Sequence, residues 1–240
     1  MMPSARPASL LLGTAALVLL SLACGSRAGA APEDAVVRIP SHGCSGTVIQ
    51  TGPGRSLVLT CAHAFRGPDR ARALALDVPT DRPQSTPRPA AMRLLAVDYD
   101  LDLTLIELDA GPLAFVAPVA PADHRLSAAL VSAGYDEMRL PATVRRVTPV
   151  AVASAVLFTR ERPWHGRSGG ALLDGAYLVG TVIGYETGGE RRGIYTSHAA
   201  VQRFLSRALP GAAGPAARLD AAPAPARPWL RPAEPCPGGS

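Results

Sequence analysis

The 240-residue chain is 48% apolar, long and hydrophobic enough for one sizeable core or two smaller ones sharing an interface. Its net charge is +5, yet lysine is absent and the 24 basic side chains are scattered arginines. Few aromatics lie between them, which argues against a nucleic-acid surface despite the positive sign.

The first 30 residues read as a signal peptide. Arg6 gives a short positive region, Leu10 to Ala23 is an apolar run too short for a confident membrane span, and Ala28-Gly29-Ala30 fits a small-residue cleavage site. A competing reading is lipid attachment at Cys24, since Leu22-Ala23-Cys24 partly matches a lipobox. Either route leads out of the cytoplasm, so the protein is expected to be secreted or periplasmic, with membrane contact only through lipidated Cys24.

After an entry arm over 31–40, the pattern is that of short strands. Gly43 to Ile49 and Ser56 to Cys61 flank the turn signal Gly52-Pro53-Gly54 and predict a hairpin. Folding about Gly52 and Pro53 sets Cys44 opposite Cys61, so a cross-strand disulfide is expected; two buried free thiols are the alternative. Ala73 to Val78 is a short strand candidate in a loop-like stretch. Met92 to Val97 and Leu101 to Leu108 are two further strands, and Gly111-Pro112, Pro118 and Pro121 mark a crossing between two units. Leu126 to Ala133, Ala142 to Val147, Val150 to Phe158, Ala176 to Ile183 and Gly193 to Thr196 continue the β pattern. Ser197 is placed to cap a helix running to Ala208, with Val201, Phe204 and Leu205 on one face. The Ala/Pro/Gly-rich tail over 209–240 reads as disordered and holds a lone Cys236.

Three stretches carry possible chemistry. His63 follows the strand ending in Cys61. Asp102 opens the apolar run Leu103 to Leu108. Ser168 sits in Gly166-Arg167-Ser168-Gly169-Gly170, where glycines let the chain bend and aim the N–H groups of Gly166 and Ser168 at one point beside the hydroxyl. Each alone has a bland explanation: a structural histidine, a turn aspartate, a glycine-rich turn. Together they form the set required for nucleophilic acyl transfer. Serine attacks, histidine takes its proton, and the aspartate fixes the tautomer and stabilises the imidazolium. No His/Cys spacing suggests a metal, and no cofactor is expected.

On these residues the chain resembles the trypsin/chymotrypsin-like serine proteases, above all compact bacterial secreted members. Thr60-Cys61-Ala62-His63 is similar to the family's histidine motif, with Cys61 in place of an alanine. Asp102-Leu103-Thr104-Leu105-Ile106 resembles the aspartate motif, Gly166 to Gly170 the nucleophile motif, and Ser45 to Ile49 the strand before the histidine. Leu178-Val179-Gly180 and Gly193 to Thr196 resemble the closing strands, so the likeness spans about 36–208. It implies an all-β fold of two packed six-stranded antiparallel β-barrels with a C-terminal helix. Residues 31–115 would hold His63 and Asp102, and 116–208 would hold Ser168 and the helix. It implies a secreted serine endopeptidase acting on polypeptides through an acyl-enzyme, and a monomer. It also implies that Cys44 matches the cysteine that usually bridges near the histidine, with Cys61 displaced from the usual partner position.

Departures from the family pattern are informative. Arg167 stands where trypsin itself has the aspartate that receives a freed N-terminus, so that mode of activation is not expected. Ile183 lies near a serine that often supports the aspartate. No PDZ domain is expected after Ala208. Arg162 occupies the base of the specificity pocket, and His198 lies roughly where glutamyl endopeptidases place a pocket histidine; together they would favour an acidic residue before the cut bond. Arg162, His165, Tyr185 and His198 are thus the substrate-binding candidates, while His42 and His124 read as surface or loop residues. A non-catalytic protease-like binding module and a surface lipoprotein tethered at Cys24 are the competing functions.

Overall fold

A computed structural model describes residues 32–66, 75–78, 88–109, 113 and 115–209. The leader with Cys24, and the tail over 210–240 with Cys236, lie outside the described residues.

Six strands form the first unit: β1 (Val36–Ile39), β2 (Cys44–Gly52), β3 (Arg55–Thr60), β4 (Ala75–Val78), β5 (Arg88–Asp98) and β6 (Leu103–Leu108). They close as a barrel in the order β1-β2-β3-β6-β5-β4. β1 is the surprise, because residues 31–40 read as an entry arm. Val36 and Val37 are buried and Val36 pairs with Thr47, so the arm is the strand that seals the barrel. Along β3, Leu57, Val58 and Leu59 are all buried. Each such side chain contributes roughly 1.5–3 kcal/mol on leaving water, which explains why strict alternation is absent from this stretch.

The second unit contains β7 (Leu130–Gly134), β8 (Thr143–Val147), β9 (Pro149–Ala153), β10 (Val156–Thr159), β11 (Ala171–Asp174), β12 (Tyr177–Tyr185) and β13 (Gly193–Ser197). Their order is β8-β7-β11-β12-β13-β10-β9. The two edge strands, β8 and β9, are consecutive in the chain and separated only by Thr148. Thr148 is pinned there: its N–H donates to Glu161 Oε2 at 2.6 Å and its carbonyl accepts from the Arg160 N–H at 3.0 Å. β8 and β9 are therefore one strand bent at Thr148, which leaves one edge of the sheet and joins the other. Counted that way, the sheet wraps with six strands, in line with the chymotrypsin-like expectation. The stretch Val150 to Phe158, read as one β segment, is divided at Ser154 (φ 53°) into the hairpin β9–β10.

Two features lock the units together. The connecting strap pairs with both, since Ala117 N–H donates to Val48 O and Ala120 N–H to Leu178 O, each at 2.9 Å. Helix α1 (His198–Ala208) starts at Ser197, whose hydroxyl accepts from the Ala200 N–H as predicted. Its Val201 and Phe204 join the same buried cluster as Leu103 and Leu105 of the first barrel, so the last element of the second unit caps the first.

The expected disulfide is not formed: Cys44 and Cys61 are buried free thiols. The hairpin turns about Pro53 and Gly54 rather than Gly52 and Pro53, with Gly52 opposite Arg55. Past a bulge between Val48 and Gln50 it sets Gly46 against Thr60, so Cys61 lies past the end of the ladder, its thiol in hydrogen-bond contact with that of Cys44. Cys44 pairs instead with Ile39 of β1.

Candidate active site

His63 begins a short helical turn immediately after β3, and Asp102 ends the tight turn between β5 and β6. Because β3 and β6 are neighbours, with Thr60 opposite Thr104, the two side chains emerge side by side. Asp102 has φ 56°, a left-handed conformation that aspartate tolerates better than most non-glycine residues. The turn aims the carboxylate back at the start of the histidine turn. Oδ1 accepts from the backbone N–H of Ala62 at 3.0 Å and of His63 at 2.7 Å, while Oδ2 lies 2.7 Å from His63 Nδ1. The side chain of Asp102 is buried, and its charge is met by three donors. With Nδ1 given to the carboxylate, Nε2 is the nitrogen left to exchange a proton. These amides take the role of the supporting serine the family often supplies; Ile183 instead packs in an apolar cluster with Val156 and Ile194.

The imidazole is subject to opposing influences. Burial pushes its pKa down, while the adjacent Cys61 sulfur and the Asp102 hydrogen bond push it up, and the net direction is well above the ordinary histidine value. Burial also holds the Cys61 thiol protonated, since its own pKa is driven well up. With the thiol neutral, the hydrogen bond to Asp102 is what raises the imidazole.

Ser168 is placed by the first barrel as much as by its own sheet. Its carbonyl accepts from the Ser45 N–H at 2.8 Å, and the Ser45 hydroxyl donates to Gly166 O at 2.9 Å. Next to it, Gly169 has φ +79°, and a Cβ there would lie 2.2 Å from both Ser45 O and Thr60 Oγ1 and 2.8 Å from the Cys61 nitrogen. Only glycine permits that approach, and it sets the nucleophile turn against the strand end that carries His63. Thr196 of β13 donates to Leu101 O at 2.9 Å, tying the aspartate turn to the same wall. These contacts set the nucleophile turn and the aspartate turn against the strand end that carries His63. Among the described residues, the Ser168 hydroxyl is not hydrogen-bonded to His63. Such bonds are commonly long in an unliganded site and tighten with substrate.

Gly166 adopts φ +83°. Among the described residues, neither its N–H nor that of Ser168 donates to a protein acceptor.

Arg167, the residue that departs from the family motif, is completely buried. Its guanidinium donates through Nε and Nη2 to the two oxygens of Asp136 at 2.8 and 2.9 Å, and through Nη1 to Ser132 O at 2.8 Å and Ser132 Oγ at 3.4 Å. Nη2 also meets Thr143 Oγ1. All five N–H groups are engaged. Sequence reasoning did not single out Asp136. The signal lay in Arg167 itself, because a cation beside the nucleophile in an apolar segment demands a carboxylate partner.

Among the specificity candidates, three come together. The Arg162 guanidinium lies 3.5 Å over the Tyr185 ring centre, and the His165 ring stands edge-on to Tyr185 at 6.5 Å. His198 does not join them. Gly193, at the start of β13, abuts Glu161 O and Pro163, but His198 follows the other end of that strand, about 13 Å away at the usual rise per residue. It faces His124 with ring centres 6.2 Å apart, and its pKa is lowered by burial first and by His124 as well. The placement of His198 in a pocket with Arg162 is therefore corrected. His124 is no idle surface residue either. Its Nε2 lies 3.0 Å from Asp174 Oδ2, and Ser127 Oγ donates to Asp174 Oδ1 at 2.5 Å. This serine bonds the carboxylate rather than the histidine, so the cluster serves to hold the segment before β7 against β11.

Comparison with known proteins agrees with this geometry. Residues 44–200 match the family model described as a trypsin-like peptidase domain. No curated protein matches the chain. Among solved structures, the inactive form of the Rv3671c protease from M. tuberculosis is similar at TM-score 0.57 and 20% identity, covering 78% of this chain and 94% of that one. Its active form gives TM-score 0.56 and 21% identity, with 81% and 88% covered. A serine endoprotease from Yersinia pestis gives TM-score 0.59 and 21% identity, with 76% and 64% covered. At these identities the structures speak to the fold alone; the match over 44–200 carries the family. The chain is a serine-type peptidase belonging to the trypsin-like peptidase domain family.

Proposed function

We propose that the protein is a secreted endopeptidase in which Ser168, His63 and Asp102 form the catalytic triad. The observation that carries this reading is the divided carboxylate of Asp102, with one oxygen on two backbone N–H groups and the other on His63 Nδ1. That arrangement commits Nε2 to proton transfer beside the nucleophile turn. Ser168 Oγ adds to the peptide carbonyl carbon and its proton passes to His63 Nε2. The carbonyl oxygen, now an anion, takes the N–H groups of Gly166 and Ser168. The C–N bond then breaks as His63 returns the proton to the leaving amine, giving an acyl-enzyme. Water, deprotonated by the same nitrogen, adds to the ester carbonyl; the bond to Ser168 Oγ then breaks, His63 returns the proton to that oxygen, and the acid is released.

Arg162, fixed over Tyr185, supplies a charge at the pocket and favours substrates with an acidic residue before the cut bond. The chain acts as a monomer outside the cytoplasm, following the signal-like residues 1–30, with lipid attachment at Cys24 as the alternative anchor. A fluorophosphonate probe tests the chemistry. Labelling of the wild type and none of Ser168→Ala is expected, with cleavage in a Glu/Arg/Leu/Ala peptide panel strongest after Glu. Well-folded wild-type protein that takes no label would move the assignment to a binding module built on the same fold.

A further inference from the structure

We propose that Asp136 is a positioning residue for catalysis: through its ion pair with Arg167 it holds the oxyanion turn in working shape, as a constitutive internal strut. This rests on the peptidase reading above and adds to it how the hole stays formed.

Arg167 lies between the two oxyanion donors in the chain, so whatever fixes its side chain bears on both. A fully buried guanidinium is strongly unfavourable unless it is paired and hydrogen-bonded throughout. The fork-on-fork contact with Asp136, together with Ser132 and Thr143, meets that requirement. The pairing has one geometry, because a planar guanidinium and a planar carboxylate fit edge to edge in a single register. Asp136 is in turn held by the Thr143 hydroxyl at 2.8 Å and by Arg145 at 3.2 Å, both on β8.

The loop carrying Asp136 is shaped to receive the turn. Glu137 and Met138 both have positive φ, 51° and 58°, two strained residues in succession that persist only where surrounding contacts over-determine them. The Glu137 N–H donates to His165 O at 2.6 Å. A Cβ on Gly166 would lie 2.6 Å from Tyr135 O and 2.9 Å from the Met138 nitrogen, and a Cβ on Gly134 would lie 2.7 Å from Arg167 Cγ. The loop thus presses on the oxyanion turn along its length, and Gly134 leaves the channel through which the arginine stem passes. From the first barrel, Arg38 Nη1 donates to Met138 O at 2.9 Å and Ser45 Oγ accepts from the Tyr135 N–H at 2.9 Å. Among the described residues, the Arg167–Asp136 contact is the one ion pair that joins the turn to this loop, and it binds them side chain to side chain.

The experiment is Asp136→Asn in the full-length protein, read by steady-state kinetics on a peptide ester and by amide hydrogen exchange over 164–170. The substitution keeps the shape and removes the charge. Loss of a preorganised oxyanion donor lowers kcat by about 10²–10³-fold. That fall is expected here with KM within about threefold of wild type, together with at least roughly tenfold faster exchange confined to the turn. Wild-type kcat or unchanged exchange overturns the proposal. Should Asp136→Asn fail to fold, the double variant Asp136→Asn/Arg167→Gln, which buries no unpaired charge, takes the same two measurements. Slower turnover with faster exchange supports the strut there too, and wild-type values in either overturn it. A wild-type protein inert toward peptides and probe, whose turn still loosens in the variant, overturns the peptidase reading while upholding the strut. An active wild type matched by its variant does the reverse.

Discussion

Two carboxylates, Asp102 buried in the first unit and Asp136 partly buried in the second, solve the same problem differently. Asp102, in the first barrel, is satisfied by two backbone N–H groups and an imidazole. Asp136, in the second unit, is satisfied by a guanidinium, a hydroxyl and a second arginine. The difference lies in whether the partner can release its proton. Histidine exchanges a proton near neutral pH, whereas arginine holds its proton throughout the range in which proteins stay folded. One pair is therefore built to move charge during a reaction and the other to keep charge still. Placing them on separate units lets the mobile pair cycle without loosening the static one.

The sharpest way to break this comparison is Asp102→Asn. An amide keeps contact with His63 but favours the wrong tautomer, so kcat is expected to fall about 10⁴-fold while binding and fold persist. A stability loss with kcat preserved would make Asp102 the static residue instead. On the other side, Arg167→Met leaves Asp136 without its main partner. Removing one member of a buried pair costs about 3–5 kcal/mol, and the exposed edge of Asp136 places the expectation at the lower end. A urea melt of the variant measures it. A midpoint equal to wild type would mean that the apolar stem of Arg167, not its charge, holds the turn.

Much of the site was legible because acyl transfer constrains it locally. Gly166 to Gly170, the residues before His63 and those after Asp102 each report backbone geometry through their own composition. The barrels were legible from turn signals and apolar runs. What escaped notice depends on distance. The Cys44–Cys61 expectation centred the hairpin on Gly52 and Pro53, but the turn falls on Pro53 and Gly54, so Gly52 faces Arg55 and, past the bulge near Val48, Gly46 faces Thr60. His198 was placed by analogy along the chain, but the length of β13 carries it to the other end of the strand. Asp136 is 31 positions from Arg167, and no local pattern joins them; only the demand of a buried cation for an anion does. Likewise β1 has too few residues to announce itself and is a strand because Thr47 and Cys44 stand ready to pair with it.

The smallest expected effect separates the two pairs by pH. For Asp136, burial raises the carboxyl pKa, but the hydrogen bonds from Arg167 and Thr143 outweigh it and the net shift is downward. A depressed carboxylate contributes stability that is present above its unfolded value, about pH 4, and is lost as pH falls through the lower folded value. For His63 the net shift is upward. Its contribution is fully present below the ordinary value near 6.5 and is lost as pH rises through the folded value. Activity runs against this second trend, because only the neutral imidazole takes a proton from Ser168. The kcat/KM profile should thus climb through a midpoint above the ordinary histidine value, over the range where His63 ceases to stabilise the fold. Urea midpoints from about pH 3 to 5 should show an acid limb that shrinks in Arg167→Met and is untouched in His63→Ala. An acid limb that survives Arg167→Met would assign it to Asp174, whose pKa is also lowered, its burial outweighed by the hydrogen bonds from Ser127 and His124. In that event the carboxylate that holds the segment before β7, rather than the one behind the oxyanion turn, would set the acid limit of the fold.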